Sequence, residues 1–227
     1  MLILSLESSA KAASAAICED EKLISQYFQN NGLTHSRTLL VMVEDMLKNT
    51  GLTMSEIDTV AVAAGPGSFT GIRIGIAAAK GLAWGADKPI YGVSTLFAMA
   101  HHIQDENVCI CPVMDARRSE VYNAKFEIRD GQLIRLCPDR AITLSDLLLE
   151  AQQDDKPYYL LGDGAQMCYA RFAELSIPVR IAPTPLLHQS AWGVAIAAKI
   201  GPHISVDQPN YLRLSQAERE RLEKGSV

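Results

Sequence analysis

The chain has 227 residues, 48% hydrophobic and 21% charged, with 21 basic against 26 acidic side chains and a formal net charge of −5. These are ordinary globular values, and the length suffices for one large domain or two small ones. The acidic balance argues against unaided nucleic-acid binding, which needs a dense basic surface; it leaves room for a subunit that meets RNA beside a more basic partner.

The N-terminus starts directly with an alternating strand, MLILSLES, without the basic flank and apolar run of a signal peptide. No apolar run has the length of a membrane span, and the longest candidate, Ile72 to Trp84, contains Arg73 and Lys80. The five cysteines, Cys18, Cys109, Cys111, Cys137 and Cys168, are odd in number and scattered. They read as buried thiols in a reducing cytoplasm rather than a disulfide framework. Alternation places Cys109 and Cys111 on one face of a strand.

Leu2–Leu6, Ala12–Cys18 and Lys22–Phe28 read as three short strands separated by polar turns. A helix follows over His35–Lys48, with Thr34 at the N-cap. Asp58–Ala64 reads as a buried strand, Gly65–Ser68 as a loop and Phe69–Gly85 as a helix. Pro89–Val93 is a strand, and Ser94 caps a helix to about Ile103. The second half opens with Val108–Met114, a nearly continuous apolar run suited to a central strand. Glu120–Ile128 alternates as one strand, and Asp130-Gly131 turns it into Gln132–Leu136. Thr143 caps a helix to about Gln152; then come a strand at Tyr158–Leu161, a helix at Ala165–Glu174, a strand at Pro178–Ile181 and a helix at Gln189–Ile200. Both halves thus read β-β-β-α-β-α-β-α, a mixed sheet with packed helices, repeated once. The boundary falls in the polar stretch Gln104–Asn107, giving lobes 1–104 and 105–227. The charge-alternating run Glu218–Lys224 reads as a solvated helix or a frayed tail.

Three segments carry candidate chemistry. The first is Glu7-Ser8-Ser9, where the first strand ends. A duplicated unit of this kind resembles the actin-like ATPase and sugar-kinase superfamily, in which an acid followed by Gly and Ser/Thr turns the first hairpin around a phosphate. Glu7 takes the acid's place and Asp115 the mirrored place in the second half, but the glycine is absent, and Gly162-Asp163-Gly164 is a weak adenosine pocket. The second is the loop and helix start from Gly65 to Gly75, which lacks the Lys-Ser/Thr of a P-loop. Its helix holds Gly71, Gly75, Gly81 and Gly85, each costing about 1 kcal/mol against Ala. Small residues Gly71, Gly75, Ala78 and Ala79, with Ile72 beside them, line one side, while Arg73 and Lys80 fall within about 20° of each other. Such a helix is buried on more than one side, against its own sheet and neighbouring helix or against another chain. The third is the helix beginning at His35, whose apolar Leu39, Leu40, Met42, Val43, Met46 and Leu47 span an arc of roughly 160°.

The run GPGSFTGIRIG at Gly65–Gly75 is followed by GLAWGADKPIYGVSTL at Gly81–Leu96, Asp115-Ala116-Arg117 leading into Glu120-Val121-Tyr122, and Tyr211-Leu212-Arg213. In this order the motifs resemble the TsaB (YeaZ) family, the non-catalytic partner in bacterial tRNA threonylcarbamoyladenosine synthesis, closely in the N-terminal half and loosely beyond it. The resemblance implies two tandem ribonuclease-H-like lobes of the actin-like ATPase superfamily. It also implies a scaffold subunit that binds the transferase TsaD, works with the ATPase subunit TsaE and meets tRNA only within the complex; a surface shaped for a paralogous partner could also pair with a second copy of itself as a homodimer, a question the sequence leaves open. The implied partner interface is His35, Leu39, Met42, Met46, Gly71, Ile72, Gly75, Ala78 and Ala79. TsaD holds its metal on two histidines four apart on a helix; the matching positions here are Thr95 and Met99, and the adjacent His101 and His102 diverge by about 100°. No catalytic, cofactor or metal residue is therefore expected. Two other readings are weighed against this one: a small-molecule kinase or ATPase of the actin-like superfamily, and a peptidase, for which neither H-E-x-x-H nor a local nucleophile signature is found.

Overall fold

The computed structural model describes residues 1–213, and the architecture below is that of those residues; Glu218–Lys224 lies outside them. The first half contains β1 (Leu2–Glu7), β2 (Ala13–Glu19), β3 (Lys22–Gln29), α1 (His35–Thr50), β4 (Thr59–Ala63), α2 (Phe69–Gly85), β5 (Ile90–Val93) and α3 (Thr95–Ala100). The second contains β6 (Cys109–Arg117), β7 (Glu120–Asn123), β8 (Phe126–Arg129), β9 (Gln132–Arg135), β10 (Arg140–Thr143), α4 (Leu144–Ala151), β11 (Tyr158–Leu161), α5 (Ala165–Glu174), β12 (Val179–Ile181), α6 (Thr184–Leu187) and α7 (Ala191–Ile200).

The first sheet has the order β3-β2-β1-β4-β5. Its β1–β2 and β2–β3 pairs are antiparallel, and its β1–β4 and β4–β5 pairs are parallel. Both faces are covered, which is why β1 and β4 read as continuous apolar runs. Leu4 and Leu6 pack with Leu39, Met42, Met46, Ile72 and Ile76 of α1 and α2. On the opposite face Ile3 packs with Val194, Ala195 and Ala198 of α7, and Ser5 Oγ donates to the Ala191 carbonyl (2.7 Å). Alternation along β1 therefore turns Glu7 towards the α7 side. The second sheet runs β10-β7-β6-β11-β12, with β8 joining β6 and β9 joining β8. Its central strand β6 is flanked by α3 and a cluster around Cys109, Cys111, Tyr158 and Phe172. The cluster over α3 and α7 also takes in Ile110 and Phe126, so the two halves share one core at the back of the molecule.

The predicted strand Glu120–Ile128 is two strands. The buried Asn123 amide donates to the Ala124 (3.0 Å) and Pro112 (3.3 Å) carbonyls, and the Lys125 N–H donates to Cys137 Sγ (3.2 Å), which breaks the ladder between β7 and β8. The short β10 and the one-turn α6, absent from the sequence reading, lie between polar stretches with too few residues to show a period. Residues 101–102 are a turn and α3 ends at Ala100 rather than near Ile103, and Ser190 holds extended geometry, so α7 begins at Ala191. Thr34 occupies the N-cap of α1 without a side-chain cap bond, whereas Ser68, Ser94 and Thr143 each accept one from the helix they precede. All five cysteines are free thiols. Among the described residues no helix is long and apolar enough to cross a membrane.

Candidate functional site

The strand ends of both halves open on a cleft of about 480 Å³. Its walls include Ser9 and Lys11 from the first hairpin, Gly67–Thr70 at the start of α2, Asp115 and Arg117 at the end of β6, Asp163, and Asn210–Arg213. The mirrored acids occupy unequal positions. Asp115 is exposed and lines the cleft. Glu7 is 1% exposed, and its Oε1 accepts the Ser9 N–H (2.5 Å), so it braces its own hairpin from within. Burial pushes the Glu7 carboxyl up to about 7, against hydrogen bonds from Ser9 and Ser8, and the nearby Asp163 adds to the rise. Asp163 is itself raised by burial, against a hydrogen bond that its carboxylate accepts from the Asp115 N–H. Glu7 is thus a buried carboxyl that holds its proton more tightly than an exposed one does.

The glycines expected to admit a partner are used inside the chain. A Cβ on Gly71 would overlap the Ser8 carbonyl oxygen, and one on Gly75 would overlap Ser8 Oγ and lie 3.4 Å from Val62. Ser8 Oγ also donates to the Gly71 carbonyl (2.9 Å). The missing glycine of the hairpin and the extra glycines of α2 are therefore one feature: small residues on α2 make room for Ser8. Leu39, Met42, Met46, Ile72 and Ala79 are 0–7% exposed in the same core. His35 Nε2 meets the Ala10 carbonyl (2.7 Å), and Ala78 is half-buried on the edge of that cluster. Of the interface set, only His35 and Ala78 keep part of their surface.

What α2 leaves outside is a different arc. Thr70, Ala77, Gly81 and Trp84 are exposed and Ile74 is half-exposed; these positions fall within about 80° around the helix. A Cβ on Gly81 would meet nothing within 4 Å. Trp84 is 73% exposed, and on α1 Leu40 is 50% exposed. Thr38, Val41 and Asp45 face the β3 side of α1, so Leu40 and Leu47, on the opposite flank, lie towards α2. Sequence reasoning missed this arc because alanine and glycine carry no pattern of their own. The signal available was the angle between the glycines at 71 and 75 and the one at 81. Arg73 and Lys80, paired by angle in the sequence, share a flank: Arg73 Nε donates to Tyr211 Oη (3.2 Å), and Lys80 pairs with Asp207.

Thr95 and Met99 are buried in the shared core. A hydroxyl and a thioether do not fit iron or zinc, and no metal-assisted step is assigned to them. His101 and His102 are buried too, and burial pulls both imidazoles down to about 4. His102 meets Ser190 Oγ (2.9 Å) and the Leu186 carbonyl (3.2 Å), which ties α3 to the start of α7.

Two ribonuclease-H-like halves around a polar cleft define the actin-like fold. A family model described as TsaD, tRNA N6-adenosine threonylcarbamoyltransferase, matches residues 29–198. The chain is similar to the tRNA threonylcarbamoyladenosine biosynthesis protein TsaB of Bacillus subtilis, with 29% identity over 226 residues, 98% of this chain and 99% of that protein. Against TsaB of Escherichia coli it is 39% identical over 129 residues, and that match spans 56% of this chain and about half, 55%, of the relative. A solved structure from Pseudomonas aeruginosa, titled as an uncharacterized protein with similarity to peptidase YEAZ, superposes with a TM-score of 0.75 at 25% identity, covering 93% of this chain and 99% of that one. The chain belongs to the threonylcarbamoyltransferase family and, within it, to the TsaB (YeaZ) group.

Proposed function

We propose that this chain is a binding subunit in tRNA threonylcarbamoyladenosine synthesis, which docks a TsaD-type transferase on the outer faces of α1 and α2 and does no chemistry of its own. One observation carries the reading. The arc Ile74–Ala77–Gly81–Trp84, with Leu40 beside it, is apolar or small, exposed and free of charge on the outside of a well-packed helix pair. Small residues let a partner helix approach to within about 8–10 Å, and the exposed tryptophan is the kind of anchor that dominates interface energetics. The names of the relatives support the pathway. The acidic charge suits a subunit that meets tRNA beside its partner rather than alone. The inward-turned Glu7 supports binding over phosphoryl transfer, because it is buried and does not line the cleft, and one of its carboxyl oxygens holds the Ser9 N–H.

The experiment is reconstitution. The chain, a TsaD-type transferase, an associated ATPase subunit of the TsaE type, tRNA and the threonylcarbamoyl donor are mixed, and modified adenosine is counted with each protein omitted in turn. Product should fall to background without this chain and should not form from this chain alone. Modification by the other components at an unchanged rate in its absence would overturn the proposal, and so would ATP turnover by the isolated chain at enzymatic rates.

A further inference from the structure

The described part of the segment after α7, Gly201–Arg213, rests on both halves. From Gly201 to Arg213 it runs along the first half and then crosses the mouth of the cleft to the second. Ile204 forms an antiparallel bridge with Gly92 of β5, its N–H donating to the Gly92 carbonyl (2.7 Å). Asp207 pairs with Lys80 of α2. The Asn210 N–H donates to the Ala64 carbonyl (2.8 Å) at the end of β4, and the Asn210 carbonyl oxygen would lie 2.7 Å from a Cβ on Gly65. The Tyr211 ring stacks on Phe69 (centroids 4.4 Å apart), and the Arg73 guanidinium lies over Phe69 at 3.9 Å. These contacts belong to the first half.

The same residues then grip the second half. Asn210 Nδ2 donates to Asp139 Oδ2 (3.3 Å), and that carboxylate also accepts from Ser94 Oγ (2.5 Å) of the first half and Arg135 Nη1 (2.5 Å) of the second. Arg213 Nη1 donates to the Ala116 carbonyl (2.6 Å) and pairs with Glu120 (2.5 Å), on either side of the turn between β6 and β7. At the back the halves share an apolar core; at the front they are joined by part-buried polar bonds rather than by apolar packing.

We propose that Gly201–Arg213 is a clasp: it holds the two halves at one opening of the cleft, about a hinge formed by the shared core, and its release lets the cleft widen. The proposal goes beyond the binding role given above and needs no partner. Because Tyr211 and Asp207 rest on α2, on the flank next to the exposed arc, the clasp also links the cleft to that arc.

The test uses the isolated full chain. Spin labels are placed at Glu44→Cys on α1 and Glu174→Cys on α5, in a Cys137→Ser background, and the distance between them is measured by pulsed electron resonance. Amide exchange is followed in parallel. The parent should give one narrow distance. Arg213→Ala combined with Asn210→Ala, which together cut the clasp from the second half, should add a longer population, and amides of residues 116–121 should exchange at least tenfold faster while those of β1 and β2 stay protected. Asp207→Lys, which repels the clasp from α2, should leave the distance narrow as long as Arg213 and Asn210 hold. An unchanged distribution and unchanged exchange in a folded Arg213→Ala/Asn210→Ala chain would overturn the proposal. So would global unfolding of that variant, which would make the segment part of the core rather than a clasp.

Discussion

Alanine placed at two glycines of the same helix should move stability in opposite directions. At Gly71 a Cβ would overlap the Ser8 carbonyl oxygen, which is backbone and cannot rotate away. The first turn of α2 has to lift, at an overpacking cost of about 1–3 kcal/mol. Lifting also stretches the hydrogen bond from Ser8 Oγ to the Gly71 carbonyl (2.9 Å), worth about 1 kcal/mol. The gain in helix propensity returns at most about 1 kcal/mol, so the net loss is about 1–3 kcal/mol. For a chain of this size each kcal/mol moves Tm by about 2–4 °C, and Gly71→Ala should melt roughly 3–10 °C lower. Gly81 has nothing within 4 Å of its notional Cβ, so Gly81→Ala collects the propensity alone and should melt about 2–4 °C higher. Scanning calorimetry of the two variants beside the parent decides the matter. A Gly71→Ala chain that melts at or above the parent would show that the Ser8 hairpin and α2 are not in contact as described.

Two predictions concern pH and a third concerns caps. The folded pKa of Glu7 is raised from 4.5 to about 7, so the folded chain holds a proton that the unfolded chain gives up. This contribution, about 3 kcal/mol, is complete below pH 4.5 and is lost as pH rises through 7; Glu7→Gln should flatten the stability profile over that window, and a profile parallel to the parent's would refute the assignment. His101 and His102 work in the other direction, because burial lowers both to about 4. Their contribution is present above pH 6.5 and is lost as pH falls towards 4. His101→Leu, which removes a buried ring whose Nε2 has no partner, should shrink that acid loss, as read by urea melts at pH 4.5 and 7.5. Thr143→Ala should cost about 0.5–2 kcal/mol, because Thr143 Oγ1 accepts the Asp146 N–H (3.1 Å). Thr34→Ala should cost much less, since Thr34 makes no cap bond; equal losses in chemical denaturation would contradict the distinction.

The elements of the first half were legible because each carries a period long enough to read. The β1 run, the start of α1 at His35 and the loop-to-helix transition at Ser68 fall where the pattern places them, though α1 runs on to Thr50, past the predicted end at Lys48. Legibility failed where a polar side chain rather than a period sets the structure: Asn123 splits one predicted strand into β7 and β8 through bonds to backbone carbonyls that no pattern displays. The glycines of α2 were expected to be compensated; for Gly71 and Gly75 the compensation is close contact with Ser8, about sixty residues earlier, whereas Gly81 and Gly85 have no neighbour near a Cβ, and the sequence does not say which residue comes close. Arg73 and Lys80 were seen to share a flank, whereas their partners Tyr211 and Asp207 lie beyond the last predicted helix. Glu7 and Asp115 were singled out as mirrored acids at matching strand ends, yet only the structure shows that one is buried and the other lines a cleft.

The central claim is that the outer arc of α2 receives a TsaD-type transferase, and Ala77→Arg addresses it most directly. Ala77 is exposed in the middle of the arc, so a long charged side chain there should leave the free chain's Tm within about 2 °C of the parent, as surface substitutions typically do. Titration calorimetry against the purified transferase should then show affinity reduced by at least about tenfold, equivalent to about 1.4 kcal/mol. Binding at parental affinity by a folded Ala77→Arg chain would contradict the claim and move the interface off this helix.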